Sequence, residues 1–210
     1  MQKEIRKAGR PSQSVPREVL IKAAISVFSR HGYSAASLDR IAERSGIRKP
    51  SLLYRFGNKE ALYIESISMV LGSLGDMVGA AVLSEGSYVD SLDRLGAAIT
   101  DYMGQEPDAA RLLFREVMDR GPYISGPQGD LFAVILGMAV QFVEAGDAAG
   151  EFSISDPKDL ILTIVGVHLS YFAIDGLSEI VKGAPIYDAE SIERRKREVL
   201  LQVRRLCGVS

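Results

Sequence analysis

Cysteine is almost missing from this chain. Cys207 is the single one, so no intramolecular disulfide can form and an extracellular disulfide scaffold is excluded. Cys207 itself reads as a small residue in or near a terminal helix. Histidine is nearly as scarce, with only His31 and His168 in 210 residues. Two histidines and one cysteine, widely separated, supply no zinc cluster and no nucleophile–base pair. No P-loop or dinucleotide glycine pattern is present either, and none of the plentiful carboxylates is paired in a way that stands out. The chain is therefore expected not to be an enzyme and to need no metal or organic cofactor. Long apolar runs are lacking too. The longest, Leu131–Val143 and Leu160–Ile174, fall short of the roughly 20 residues that span a bilayer, and Gln141, Thr163, His168 and Ser170 interrupt them. They read as buried helices. Met1–Arg10 is polar and basic with no apolar segment behind it, so no signal peptide is expected. A cytoplasmic protein with no membrane partner is the expectation.

What is present is a lopsided charge. The formal net charge is only -2, but residues 1–60 hold 13 Lys+Arg against 5 Asp+Glu, and the remaining residues hold 12 against 22. A basic N-terminal quarter on an acidic body points to a polyanion-binding module joined to something that is not one. With 47% hydrophobic and 25% charged residues, the chain has the composition of an ordinary folded protein.

Apolar spacing then gives helices throughout, with no alternating strand-like runs and no internal repeat. Residues 1–16, with two prolines and little apolar content, are expected to form a flexible basic arm. Arg17–His31 follows, with Leu20, Ala23, Ala24, Val27 and Phe28 on one stripe, and Gly32 ends it. Ser37 is a good N-cap for a short helix Leu38–Ser45. A third helix, Lys49–Arg55, has Pro50 in its first turn, where the missing N–H does no harm. Asn58 caps a long fourth helix to about Leu83. Further helices are expected at about Tyr88–Gly104, Pro107–Met118, Pro127–Ala145, Pro157–Val181 and Ala189–Cys207. The fold class is all-α: an N-terminal three-helix helix-turn-helix unit, joined by the long fourth helix to a larger helical body. The expected domains are 17–69 for DNA binding and 70–210 for ligand binding and dimerisation.

The stretch Leu38–Gly57, LDRIAERSGIRKPSLLYRFG, has the layout of a helix-turn-helix. It places small Ala42 where two helices cross and Gly46 at the turn, with Ile41, Ile47, Leu52 and Phe56 docking the second helix on the first. Arg48, Lys49, Ser51, Tyr54 and Arg55 remain outward, and a major groove admits such a helix. The helix before the motif ends in F-x-x-x-G-Y (Phe28 to Tyr33), and the motif runs on into YRFGNKEAL. Together with Ala23, Ala24, Ser37, Lys59, Glu60 and Leu62, these residues resemble the N-terminal domain of the tetracycline-repressor-like (TetR) transcriptional regulators. The close resemblance covers about Arg17–Met69. Beyond it, the chain matches that family in length and helical content.

The resemblance implies a homodimer that binds a near-palindromic operator, usually represses transcription, and is released by a small molecule. By position, it implies Arg48, Lys49, Pro50, Ser51, Tyr54 and Arg55 at the groove, and Ser37 and Lys59 at the DNA backbone. Lys59 sits in the first turn of the fourth helix, where free N–H groups and the helix dipole also attract a phosphate. One position departs from the family: a phosphate-binding tyrosine is common after the inward Leu52, and here it is Leu53, with Tyr54 adjacent. An arginine of the arm near Gly9-Arg10-Pro11 could enter a minor groove; a solubilising tail is the alternative.

For the body, the resemblance implies dimer pairing through about 157–181 and 189–207. The first of these segments is apolar nearly all round, as burial on two sides requires. Candidates to line an effector cavity are Tyr102, Phe114, Met118, Phe142, His168 and Phe172, with Met103, Phe132, Met138 and Tyr171 as further central side chains. Ordinary core is the competing reading for each. A helical dimer acting through protein contacts is the competing function, and the clustered Arg48, Lys49, Arg55 and Lys59 weigh against it.

Overall fold

The computed structural model describes residues 15–209, and within them every regular element is helical. The arm expected over residues 1–16 lies almost wholly outside the described residues. Four helices make up the N-terminal part: α1 Arg17–Ala35, α2 Leu38–Arg44, α3 Lys49–Phe56 and α4 Lys59–Val82. The body adds α5 Tyr88–Gln105, α6 Pro107–Asp119, α7 Asp130–Ala148, α8 Pro157–Ala173, α9 Asp175–Lys182 and α10 Ala189–Leu206.

Local chemistry sets most of these boundaries. The Ser37 hydroxyl accepts from the Arg40 N–H at 3.3 Å, and the Asn58 side-chain carbonyl accepts from the Ala61 N–H at 2.8 Å. Each satisfies one of the free donors at a helix start. Ser87, Asp156 and Asp188 do the same for α5, α8 and α10. Gly32 has φ 73°, ψ 168°, which kinks α1; one further turn runs on to Ala35, beyond the expected end at His31. Gly46 has φ 69° at the α2–α3 turn, a region that a side chain with Cβ adopts only at a cost.

The expected single helix 157–181 is two helices. α8 stops at Ala173, and α9 leaves at 82° to it. The apolar pattern alone continues through Leu177, Ile180 and Val181, so the break has no strong local signal. Its cause is distant: the Asp175 carboxylate pairs with the Arg111 guanidinium of α6 and caps its own helix through the Gly176 N–H at 3.0 Å.

One core joins the two ends. Phe28 of α1, Leu52 and Phe56 of α3, Leu62 and Ile67 of α4, and Leu112 of α6 are all buried in the same cluster. Phe28 meets Tyr63 edge-on at 4.8 Å, and the Tyr63 hydroxyl donates to the buried Glu116 carboxylate of α6. A second cluster, around Leu92, Phe142, Phe152, Val199 and Val203, holds α5, α7, α8 and α10 together. A third gathers Met103, Phe172 and Ile186. By length and composition α4 and α7 are apolar enough to cross a membrane, but they pack against each other and against the rest of the bundle.

Candidate nucleic-acid interface

α3 is held from below by Leu52, fully buried, and Phe56, 6% exposed, against Ile41 and Ala42 of α2. That docking turns the opposite face of α3 to solvent. Arg48, Lys49, Pro50 and Ser51 are all exposed there, and Tyr54 is 93% exposed. Leu53 lies beside them at the edge of exposure. The Lys49 ammonium pairs with Asp39 of α2 at 2.8 Å, both groups open to water. Exposed pairs of this kind contribute about 0–1 kcal/mol, so a phosphate can displace the carboxylate.

Three of the expected contact residues have tasks inside the protein. The Arg55 guanidinium turns back and donates to the Val15 carbonyl, so the chain entering α1 is tied to the end of α3. Lys59 points away from α3. Its ammonium donates to the carbonyls of Tyr33 at 2.8 Å, Ala36 at 3.2 Å and Ser34 at 3.3 Å, and sits 4.5 Å from the Tyr33 ring centre. It caps the C-terminal end of α1 with positive charge, where the helix dipole favours a cation. The Ser37 hydroxyl is occupied as the cap of α2.

Arg17 was not among the expected site residues, and it is the clamp on α3. Its Nη1 donates to the Arg55 carbonyl at 3.0 Å, its Nε to Glu65 of α4 at 3.0 Å, and its guanidinium carbon lies 4.2 Å from the centre of the Phe56 ring. One planar group thus holds the C-terminal end of the outward helix to α1 and α4. No sequence signal marks it, because Glu65 lies 48 residues away.

The described body residues do not gather the six cavity candidates around one space. Tyr102 faces a cleft of about 520 Å³ between α1, α4, α5 and α6. Phe142 belongs to the second core cluster; Phe172 and Phe114 belong to the third. His168 is buried, its Nδ1 3.0 Å from the Ile164 carbonyl. Met118 is 67% exposed, because α6 turns it outward, and so it lines no interior space. On the far side of the body, Leu162, Leu177, Ile180, Val181 and Leu201 of α8, α9 and α10 are more than half exposed. A groove of about 400 Å³ runs through the same helices.

Two family models match this architecture: "Bacterial regulatory proteins, tetR family" over residues 20–65, and "Tetracyclin repressor-like, C-terminal domain" over 89–203. The chain belongs to the TetR family. The first match covers the helix-turn-helix described above, and the second covers α5 to α10, so this TetR-family protein is a DNA-binding transcriptional regulator. It is 27% identical over 214 aligned residues to the HTH-type transcriptional regulator RutR of Escherichia coli, covering 95% of this chain and 97% of RutR. It is 27% identical to the HTH-type transcriptional repressor NicS of Pseudomonas putida over 71% of the chain and 72% of NicS. Among solved structures, the Bacillus subtilis regulator FadR, in complex with stearoyl-CoA, superposes with a TM-score of 0.70 at 14% identity, covering 93% of this chain and all of that one.

Proposed function

We propose that this regulator is a homodimeric repressor that reads a near-palindromic operator with α3 and releases it when a small molecule binds. The observation that carries the reading is the outward face of α3: Leu52 and Phe56 fix the helix from beneath, while Arg48, Lys49, Pro50, Ser51 and Tyr54 stand free in water. Lys49 and Ser51 read base edges, Arg48 and the exposed Tyr54 reach phosphates, and Tyr54 takes the contact that Leu53 cannot make. Ser37 sits at the backbone through the N-terminus of α2. Arg55 and Lys59 act chiefly by holding α3 and α1 in place. The exposed apolar residues of α8, α9 and α10 form the dimer interface, which sets the spacing between two copies of α3. The protein works in the cytoplasm, where its operator is.

Gel shift with the DNA upstream of its own gene, followed by selection of bound sequences from a random pool, tests this. A retarded complex at low salt and a two-fold symmetric motif are expected. Lys49→Ala and Ser51→Ala should each change the selected motif. No shift of any DNA at low salt defeats the reading, and an unchanged motif in both variants means other residues face the groove. A reporter that rises instead of falling when the protein is supplied reverses the direction to activation.

A further inference from the structure

The cleft of about 520 Å³ lies where the DNA-reading end meets the body, with α1 forming one wall and α4, α5 and α6 the other. Its volume falls within the roughly 300–1,000 Å³ of small-molecule sites. Ile21, Ile25, Met69, Val70 and Ala109 make an apolar lining, and the hydroxyls of Ser73 and Tyr102 supply hydrogen-bonding groups within it. Burial raises the Tyr102 phenol above its ordinary pKa, so it stays a neutral donor. The charges on the rim are already matched. Lys22 lies 2.7 Å from Glu106 and 3.9 Å from Glu18, and Arg17 pairs with Glu65. A charged guest would lose hydration here and meet no free counter-charge.

We propose that this cleft is the effector site, and that it takes an uncharged small molecule with an apolar body and a hydrogen-bond acceptor. The proposal rests on the DNA-binding reading above for its regulatory half. Two side chains carry the message. The Lys22–Glu106 bridge spans the mouth from α1 to the residue that precedes α6, and a guest that spreads the walls breaks it. Arg17 lines the same cleft and holds the Arg55 carbonyl and the Phe56 ring at the end of α3. Movement of α1 therefore reaches the reading helix through one guanidinium. The guest regulates by binding the spread arrangement more tightly than the DNA-bound one.

The uncharged dye prodan, a naphthalene bearing a ketone, is a suitable probe for titration into the full chain. Saturable binding with blue-shifted emission is expected. Met69→Trp, which fills the cleft, should weaken it about tenfold or more, a loss of the size that removing most of a pocket's contacts gives. Lys22→Ala, at an exposed position, should open the mouth and tighten dye binding a few-fold. Thermal melts confirm that both variants are folded. With labelled operator, saturating dye should weaken DNA binding about fivefold or more, and DNA should weaken dye binding by the same factor. No saturable binding, or equal binding by Met69→Trp, overturns the site. Binding that Met69→Trp abolishes but that leaves DNA affinity unchanged overturns its effector role. If the protein bound no DNA at all, the DNA reading would fail while the dye titration still judged the cleft.

Discussion

The two ends of this molecule solve opposite problems. At the reading end, an eight-residue helix must be rigid and must stay bare, so short-range chemistry fixes it: Gly46 turns the chain, Pro50 opens the helix, and Leu52 and Phe56 seat it. At the far end of the body, α8 and α9 bend by 82° and leave Leu177, Ile180 and Val181 open to solvent, a surface that makes sense only against another surface. The first end presents charge, and the second presents oil. Yet Phe28, Ile67 and Leu112 belong to one buried cluster, so the ends are not separate bodies that happen to be joined.

That last point is the easiest to break. Phe28 is fully buried among α1, α4 and α6, and truncation of such a phenylalanine costs about 3–5 kcal/mol. Phe28→Ala should therefore lower the stability of both ends together. Denaturant unfolding followed by probes in α3 and in α10 should show coincident transitions in wild type and variant. If the α3 probe melts first in the variant while α10 holds, the shared core does not couple them.

The oily end comes next. Ile180→Glu places a charge on a residue that is 78% exposed in the single chain. The folded chain should tolerate it, with a melting temperature close to wild type, because surface changes cost about 0.5 kcal/mol or less. The dimer should not tolerate it. Sedimentation should show monomers, and operator affinity should fall by about 10²-fold or more as the two half-sites lose their linkage. A variant that remains dimeric would put the interface elsewhere on the body.

At the reading end, Lys59 and Lys49 make a paired test. Lys59 is locked to three carbonyls, and hydrogen bonds to charged groups contribute about 1.5–3 kcal/mol each when well made. Lys59→Ala should cost stability of about that size and leave the salt dependence of DNA binding nearly unchanged. Lys49→Ala should cost little stability and make the slope of log affinity against log salt shallower by about 0.9 if it meets one phosphate. If the two outcomes are exchanged, Lys59 leaves its carbonyls for the DNA.

The same contrast explains how much could be read from the residues alone. The helix-turn-helix was legible because every constraint on it acts within twenty residues, and each leaves a mark: Ser37, Ala42, Gly46, Pro50 and Asn58 stand where caps, crossings and turns require them. The Arg17 clamp was not legible, since its partner Glu65 is 48 residues off and any helix can begin with arginine. The α8–α9 break was hidden for the same reason, because Asp175 bends the chain only through Arg111 of a different helix. The cavity candidates scattered because apolar residues at helical spacing mark burial and cannot say against what. Phe142 and Phe172 are core of two different clusters, and Met118 faces water.

His168 offers the smallest and most local test, set in the body between the two ends. Its Nδ1–H donates to the Ile164 carbonyl at 3.0 Å, which leaves Nε2 as a buried acceptor with no partner. Burial lowers its pKa below the ordinary value, and the nearby Arg195 guanidinium pushes the same way. The native protein thus keeps this ring neutral at a pH where the unfolded chain protonates it, at about 6.5. Below that pH the unfolded state binds more protons than the native one, so stability falls as pH falls, by at most about 1.4 kcal/mol per pH unit for one group. Above it the contribution is complete and flat. Carboxylates such as Glu151 and Glu193 have lowered pKa values and lose their partners only in stronger acid, which leaves the interval between pH 5 and 6.5 to the histidines. His168→Leu keeps the volume and removes the unpaired acceptor. Melts at pH 7.5 should change little, while the decline from wild type's plateau toward pH 5 should become shallower. An unaltered decline would mean that His168 is already open to protons, and that the body around it is looser than the reading end.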